Sequence, residues 1–243
     1  MLELTDVVRY YRGAGEEVRA VDGVSLTIAP GEMVALQGPS GSGKTTLLLL
    51  IAGLLKPDRG TIQFDDRVVS SFTDDEASDY LMHDVGFIYQ SSHLMRGVSA
   101  LENAAVKLEL SGLGLRDAKA RAQPWLERVG LGDRLHRPPE SLSGGERQRI
   151  AIARALAGEP RLILADEPTG SLDTARSREV VELLRAIATE QDAAVLLVTH
   201  DATAAAIANR HFVLSDGRLS DASGHGSLAD SAPSTDAGVA RAS

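Results

Sequence analysis

Eight consecutive residues, Gly38 to Thr45 (GPSGSGKT), fit the spacing G-x-x-x-x-G-K-[ST] and stand between an apolar stretch, MVALQ, and a helix-like one, Lys44 to Leu55. Each position answers a need of a polyphosphate. Gly38, Gly41 and Gly43, with Pro39, Ser40 and Ser42 between them, form a loop whose backbone N–H groups can turn inward around an anion. The helix that follows presents its positive end, Lys44 adds a compact charge, and Thr45, with Thr46 next along, offers a hydroxyl to Mg²⁺. Only 4 lysines stand against 21 arginines in the chain, so a lysine here reflects the need for a point charge rather than habit.

Two further groups sit where apolar runs end. LILADEP places Asp166 and Glu167 at the exit of a strand, the edge at which open α/β sheets bind their ligands. Asp166 suits the Mg²⁺ shell, and Glu167 can polarise an attacking water. AVLLVT ends at His200, on the same edge, where the imidazole can sense a terminal phosphate or serve as a polar residue at a helix start. A fourth group opens SLSGGERQRIAIARAL: Ser143 and Glu146 have capping-box spacing, so a helix starts there. Gly144 and Gly145 each cost that helix roughly 1 kcal/mol relative to Ala, yet they leave its first N–H groups bare to an anion.

These residues need a scaffold. Leu2 to Val8 and Val24 to Ile28 alternate apolar and polar residues as antiparallel strands do. MVALQ, Val85 to Tyr89, Leu162 to Ala165 and Ala194 to Thr199 are short apolar runs, alternating with helical stretches at Thr174 to Glu190 and Asp201 to Ala208. That rhythm predicts an α/β fold with a mainly parallel core sheet covered on both faces. From Ser99 to Leu156 the patterning is helical, which predicts an inserted helical lobe at about 91–157. Residues 1–220 form the ordered unit in this reading, and 221–243, rich in Ser, Ala, Gly and Asp, form a solvated tail.

Composition narrows the class. A formal charge of −9 argues against coating nucleic acid, and nine basic against five acidic residues from Arg116 to Arg154 read as a solvated helix face. With no cysteine, disulfides, thiolate catalysis and zinc–thiolate sites are excluded. The longest apolar run, Leu47 to Leu55, is far short of the roughly 20 residues that span a bilayer. The first residues lack the basic start and apolar stretch of a signal peptide, which sets the cytoplasm as the expected compartment.

GPSGSGKT, SLSGGE and LILADEP in this order resemble the ATP-binding-cassette family of P-loop NTPases, over about Leu2 to Leu219. VGFIYQ, LENAAV, ADEPTGSLD and VTHD are most similar to its lipoprotein-releasing, macrolide-exporting and cell-division members (LolD, MacB and FtsE). The resemblance implies an N-terminal antiparallel β subdomain, ATP and Mg²⁺ as ligands, and hydrolysis to ADP and phosphate. It implies that Tyr11 stacks on adenine, with the adjacent Tyr10 as the alternative, and that Gln90 joins the Mg²⁺ site to the helical lobe. Ser143 to Glu146 become the signature and Asp173 the dimer-facing loop, with two copies closing on two ATP molecules. The implied partners are a second copy and a separate transmembrane permease at the cytoplasmic face of the membrane. Nucleic acid is not among them: repair cassettes carry a coiled-coil insertion and translation factors a second cassette.

Tyr89 and Ser171 depart from the commoner Phe and Asn, without removing a charged participant. Leu94, Met95 and Val98 stand either in the core or on a docking surface. A cell-wall-regulating ATPase of FtsE type shares every motif and is the alternative to transport.

Overall fold

A computed structural model describes residues 1–13 and 16–222. Strands β1 (Leu2–Gly13) and β2 (Glu16–Ile28) pair antiparallel, from Leu2 opposite Ile28 to Tyr11 opposite Val18. Next come β3 (Met33–Gln37), α1 (Lys44–Ile51), β4 (Arg59–Phe64), β5 (Arg67–Val68), α2 (Asp74–His83) and β6 (Val85–Ile88). Helices α3 (Ala100–Leu110), α4 (Leu115–Arg128) and α5 (Gly144–Leu156) follow, then β7 (Leu162–Asp166), α6 (Thr174–Gln191), β8 (Ala194–Val198), α7 (Ala202–Ala205), β9 (Arg210–Ser215) and β10 (Arg218–Asp221).

The strands form two sheets. The antiparallel one runs β2-β1-β4-β5. The other runs β10-β9-β3-β8-β7-β6 and is parallel except for β10. Its central strands are buried on both faces, which explains why they read as unbroken apolar runs. Alternate side chains divide between two cores. Met33, Ile163, Val195 and Leu197 face a cluster shared with Leu101, Trp125, Ile150 and Leu156 of the helical part. Val34, Leu36, Leu164 and Leu196 face Leu47, Leu48 and Ile51 of α1 and Ile62 and Phe64 of the small sheet. Helix α1 is thus clamped between the sheets, and the loop before it is fixed at its root.

Several boundaries move from the sequence reading. Helix α1 stops at Ile51 rather than Leu55, because Gly53 turns the chain at φ +72°. Helix α7 ends at Ala205, beyond which Asn209 is pinned to Met33 through both its N–H and its side chain. Asp221 belongs to β10, opposite Phe212, rather than to a tail. The rest of the expected tail, from 223 on, lies outside the described residues. No helix among those described is long and apolar enough to cross a membrane.

Candidate active site

The loop after β3 curls as its spacing predicts. Gly43, at φ +102°, caps α1, and a Cβ there would lie 1.8 Å from the Ala20 carbonyl oxygen, so only glycine lets β2 come this close. The Lys44 ammonium lies back over the loop, donating to the carbonyls of Gly38 (2.9 Å) and Pro39 (2.8 Å). An ammonium has three N–H groups, so one remains for an oxygen of a ligand. The buried Ser42 hydroxyl has no hydrogen-bond partner within the chain.

Strand β7 delivers the carboxylates. Thr45 Oγ1 donates to Asp166 Oδ2 at 2.9 Å, joining loop and strand end across 121 residues of chain. Burial pushes the Asp166 carboxyl above its usual range; the Thr45 hydroxyl pulls it back and the Glu167 charge adds to the rise. Glu167 sits in the left-handed region at φ +46°, a conformation costly for a non-glycine residue and typical of functional turns. Its Oε2 lies 3.1 Å from Nδ1 of His200, at the end of β8.

Gly38, Ser40, Gly41, Gly43, Lys44, Thr45 and Thr46 line one hollow of 540 Å³ together with Gln90, Asp166, Glu167 and His200. Tyr11, Val18 and Ala20 form its outer wall. Of the two adjacent tyrosines, Tyr11 faces the hollow, whereas the Tyr10 hydroxyl turns away to donate to Asp22. Pro39 and Ser42 sit in the loop behind this surface. The donor set of Thr45, Asp166 and Gln90 is all oxygen or amide, which suits a hard cation such as Mg²⁺ completed by substrate oxygens and water. Among the described residues no group of three or more His, Asp or Glu side chains forms a metal cage.

Ser143, Gly144, Gly145 and Glu146 lie elsewhere. The capping box is made: Glu146 N–H donates to Ser143 Oγ at 3.2 Å and Ser143 N–H to Glu146 Oε2 at 2.8 Å. The Ser143 N–H, and the Ser143 hydroxyl that donates to the same Oε2 at 2.9 Å, hold the Glu146 carboxyl below its usual range. This helix start lines a second hollow, of 410 Å³, opposite Ser171, Leu172 and Asp173. A Cβ on Gly145 would meet Leu172 Cδ2 at 2.9 Å, so its cost to the helix is offset by close packing of the next loop.

Three side chains absent from the sequence reading hold the loop around Gln90. Gln148 donates to the Tyr89 carbonyl at 2.9 Å, Arg154 to those of Ser92 (2.8 Å) and His93 (2.9 Å), and Asn103 to those of Met95, Val98 and Ser99 at 3.1 Å. Gln148 and Arg154 stand on α5, the helix that Ser143 starts. Of the undecided apolar residues, Leu94 packs on the core while Met95 is exposed.

A strand, a phosphate-sized glycine loop and carboxylates at the end of β7, one strand removed across β8, define a P-loop NTPase. A profile of the ABC transporter family matches residues 21–170. The chain is 43% identical over 219 residues to the lipoprotein-releasing system ATP-binding protein LolD 2 of Caulobacter vibrioides, covering 90% of this chain and 96% of that one. It is 42% identical over 234 residues to the macrolide export ATP-binding/permease protein MacB of Hyphomonas neptunium, 96% of this chain but 36% of that protein. An uncharacterized ABC transporter ATP-binding protein of Mycobacterium tuberculosis is 42% identical over 219 residues, 90% of this chain and 66% of that one. Among solved structures, a dimeric post-hydrolysis state of the ATP-binding cassette MJ0796 bound to ADP and Pi superposes with a TM-score of 0.86 at 35% identity, covering 92% of this chain and all of that one. The chain belongs to the ABC transporter family and is an ATPase cassette.

Proposed function

We propose that this cassette is the ATP-hydrolysing subunit of a transporter of the LolD and MacB type, in which two copies close on two ATP molecules and drive a shape change in a separate membrane permease. One observation carries this reading: the bare amide end of α5 and the phosphate loop line different hollows of one chain. A triphosphate gripped by both therefore needs a second copy.

In this reading Tyr11 stacks on the base, Gly38 to Thr46 wrap the phosphates, and Lys44 gives its free N–H to a terminal phosphate oxygen. Thr45, Asp166 and Gln90 would hold Mg²⁺, which neutralises charge developing on the phosphates. Glu167 accepts a hydrogen bond from the attacking water, and His200, braced by Glu167, turns its other ring nitrogen to the departing phosphoryl group. Ser143 to Glu146 of the opposite copy complete the site, with Asp173 at the contact between copies. Gln148 and Arg154 carry the state of the Gln90 loop into α5. The ATPase unit runs to about Asp221, with the helical insertion near 91–157 as the part that meets the permease at the cytoplasmic face of the membrane.

The test is assembly. Glu167→Gln protein at saturating ATP and Mg²⁺ is expected to run as a dimer by light scattering, and to return to monomer when ATP is removed. A monomer at saturating ATP would overturn the two-copy reading. Co-purification with the permease then measures whether turnover responds to that partner.

A further inference from the structure

Arg9 and Tyr11 are two residues apart on β1, and their side chains leave the same face of the strand. The Arg9 guanidinium lies over the Tyr11 ring, 5.2 Å from its centroid. It is held there from behind: Nη1 donates to Asp58 Oδ1 at 3.0 Å and to the Lys56 carbonyl at 3.3 Å. Asp58 is fixed in turn, because its Oδ2 accepts from the Tyr10 N–H at 2.7 Å and its own N–H donates to the Val8 carbonyl at 2.8 Å. The Arg9 Nε is buried without a hydrogen-bond partner, as a guanidinium packed against a ring leaves it. Tyr11 lines the 540 Å³ hollow and Arg9 does not, so the cation backs the ring from outside.

Tyr11 is 40% exposed, and an unbraced ring at such a position would lose rotamer freedom only when a base arrives. A cation fixed against one face removes that freedom beforehand, and orders the ring for stacking on the other. We propose that Arg9, locked by Asp58, is a positioning residue for the nucleotide base, adding affinity for the nucleoside half of ATP and none for its phosphates. This rests on the reading of Tyr11 as the base-stacking residue.

The experiment compares Mg²⁺–ATP with inorganic triphosphate, titrated calorimetrically into the full chain. Arg9→Ala is expected to weaken ATP binding roughly 2- to 5-fold and to raise KM with little change in kcat. Triphosphate affinity should stay the same. Arg9→Lys should restore most of the loss, since it keeps the cation, and Asp58→Asn should reproduce part of it. If Tyr11→Ala weakens ATP binding while Arg9→Ala does not, the positioning role is wrong and the stacking reading stands. If Tyr11→Ala changes nothing, the stacking reading falls and the proposal with it. Equal loss for ATP and triphosphate would make Arg9 a general charge or folding contribution, which also overturns the proposal.

Discussion

His200 Nδ1 and Glu167 Oε2 lie 3.1 Å apart at the ends of the adjacent strands β8 and β7. The left-handed backbone of Glu167 is secured by its N–H donating to the Val198 carbonyl at 3.0 Å, on the strand that carries His200. The two side chains are therefore placed by one local structure. Glu167→Gln keeps an oxygen for the imidazole and so should keep the geometry, while removing the charge that polarises water. Hydrolysis is expected to fall about 10²- to 10⁴-fold with ATP affinity within a few-fold of wild type. Phosphate release under saturating ATP, beside equilibrium binding, checks this; near-normal turnover would remove Glu167 from its role.

Burial of Asp166 costs the folded chain stability. Its folded-state pKa lies above the usual carboxylate value, mainly through burial. Between the two values the folded chain binds the extra proton, so stability falls as pH rises through that window and the full cost is present at neutral pH. Asp166→Asn can still accept from Thr45 through its amide oxygen, more weakly than the carboxylate does, and carries no charge. Without nucleotide and Mg²⁺ it should be more stable, with a higher Tm, and it should lose Mg²⁺-dependent hydrolysis. A calorimetric scan of both proteins decides, and a lower Tm for the variant would contradict the burial argument.

The candidate site residues were legible because ligand geometry dictates type and spacing together, as in GPSGSGKT and ADEP. Central strands were legible for a plainer reason: burial on both faces leaves a continuous apolar run. Edge elements were not. Strand β9 opens with Arg210 and His211, and β4 with the exposed Arg59, so neither shows a clean period. Helix α2 buries only Tyr80 and hides its periodicity, although Thr73 and Glu76 form the same capping box that was read at Ser143. The grip of Gln148, Arg154 and Asn103 on the Gln90 loop was invisible, since their acceptors are backbone carbonyls and carbonyls leave no mark on a sequence.

Lys107 should give the stability curve an alkaline feature. This α3 residue donates to the Val85 carbonyl at the root of β6, and burial holds its ammonium down to about 8, against the pull of Asp84. From about pH 8 to the ordinary lysine value the unfolded chain keeps a proton that the folded chain has lost. Stability therefore rises with pH across that window. Lys107→Met removes the rise and, after the loss of one hydrogen bond, should be about 1–2 kcal/mol more stable at pH 7. Urea melts of both proteins from pH 7 to 10 should show the gap narrowing; a constant gap would mean that Lys107 does not titrate there.

Gly41 and Gly43 separate two reasons for glycine in the phosphate loop. Both have positive φ, +79° and +102°. A Cβ on Gly41 meets nothing within 4 Å, whereas one on Gly43 would strike the Ala20 carbonyl. Gly41→Ala should cost only the backbone preference, about 1–2 kcal/mol, and keep most ATP affinity. Gly43→Ala must push β2 away from the loop, and Ala20 lines the same hollow as the loop. Its cost should exceed that of Gly41→Ala by at least about 1–3 kcal/mol, with ATP affinity down roughly 10-fold or more, since a displaced loop misaligns the N–H groups that meet the phosphates. Paired denaturation and binding curves test the difference, and equal effects at the two positions would show that conformation alone, and not the approach of β2, requires glycine at Gly43.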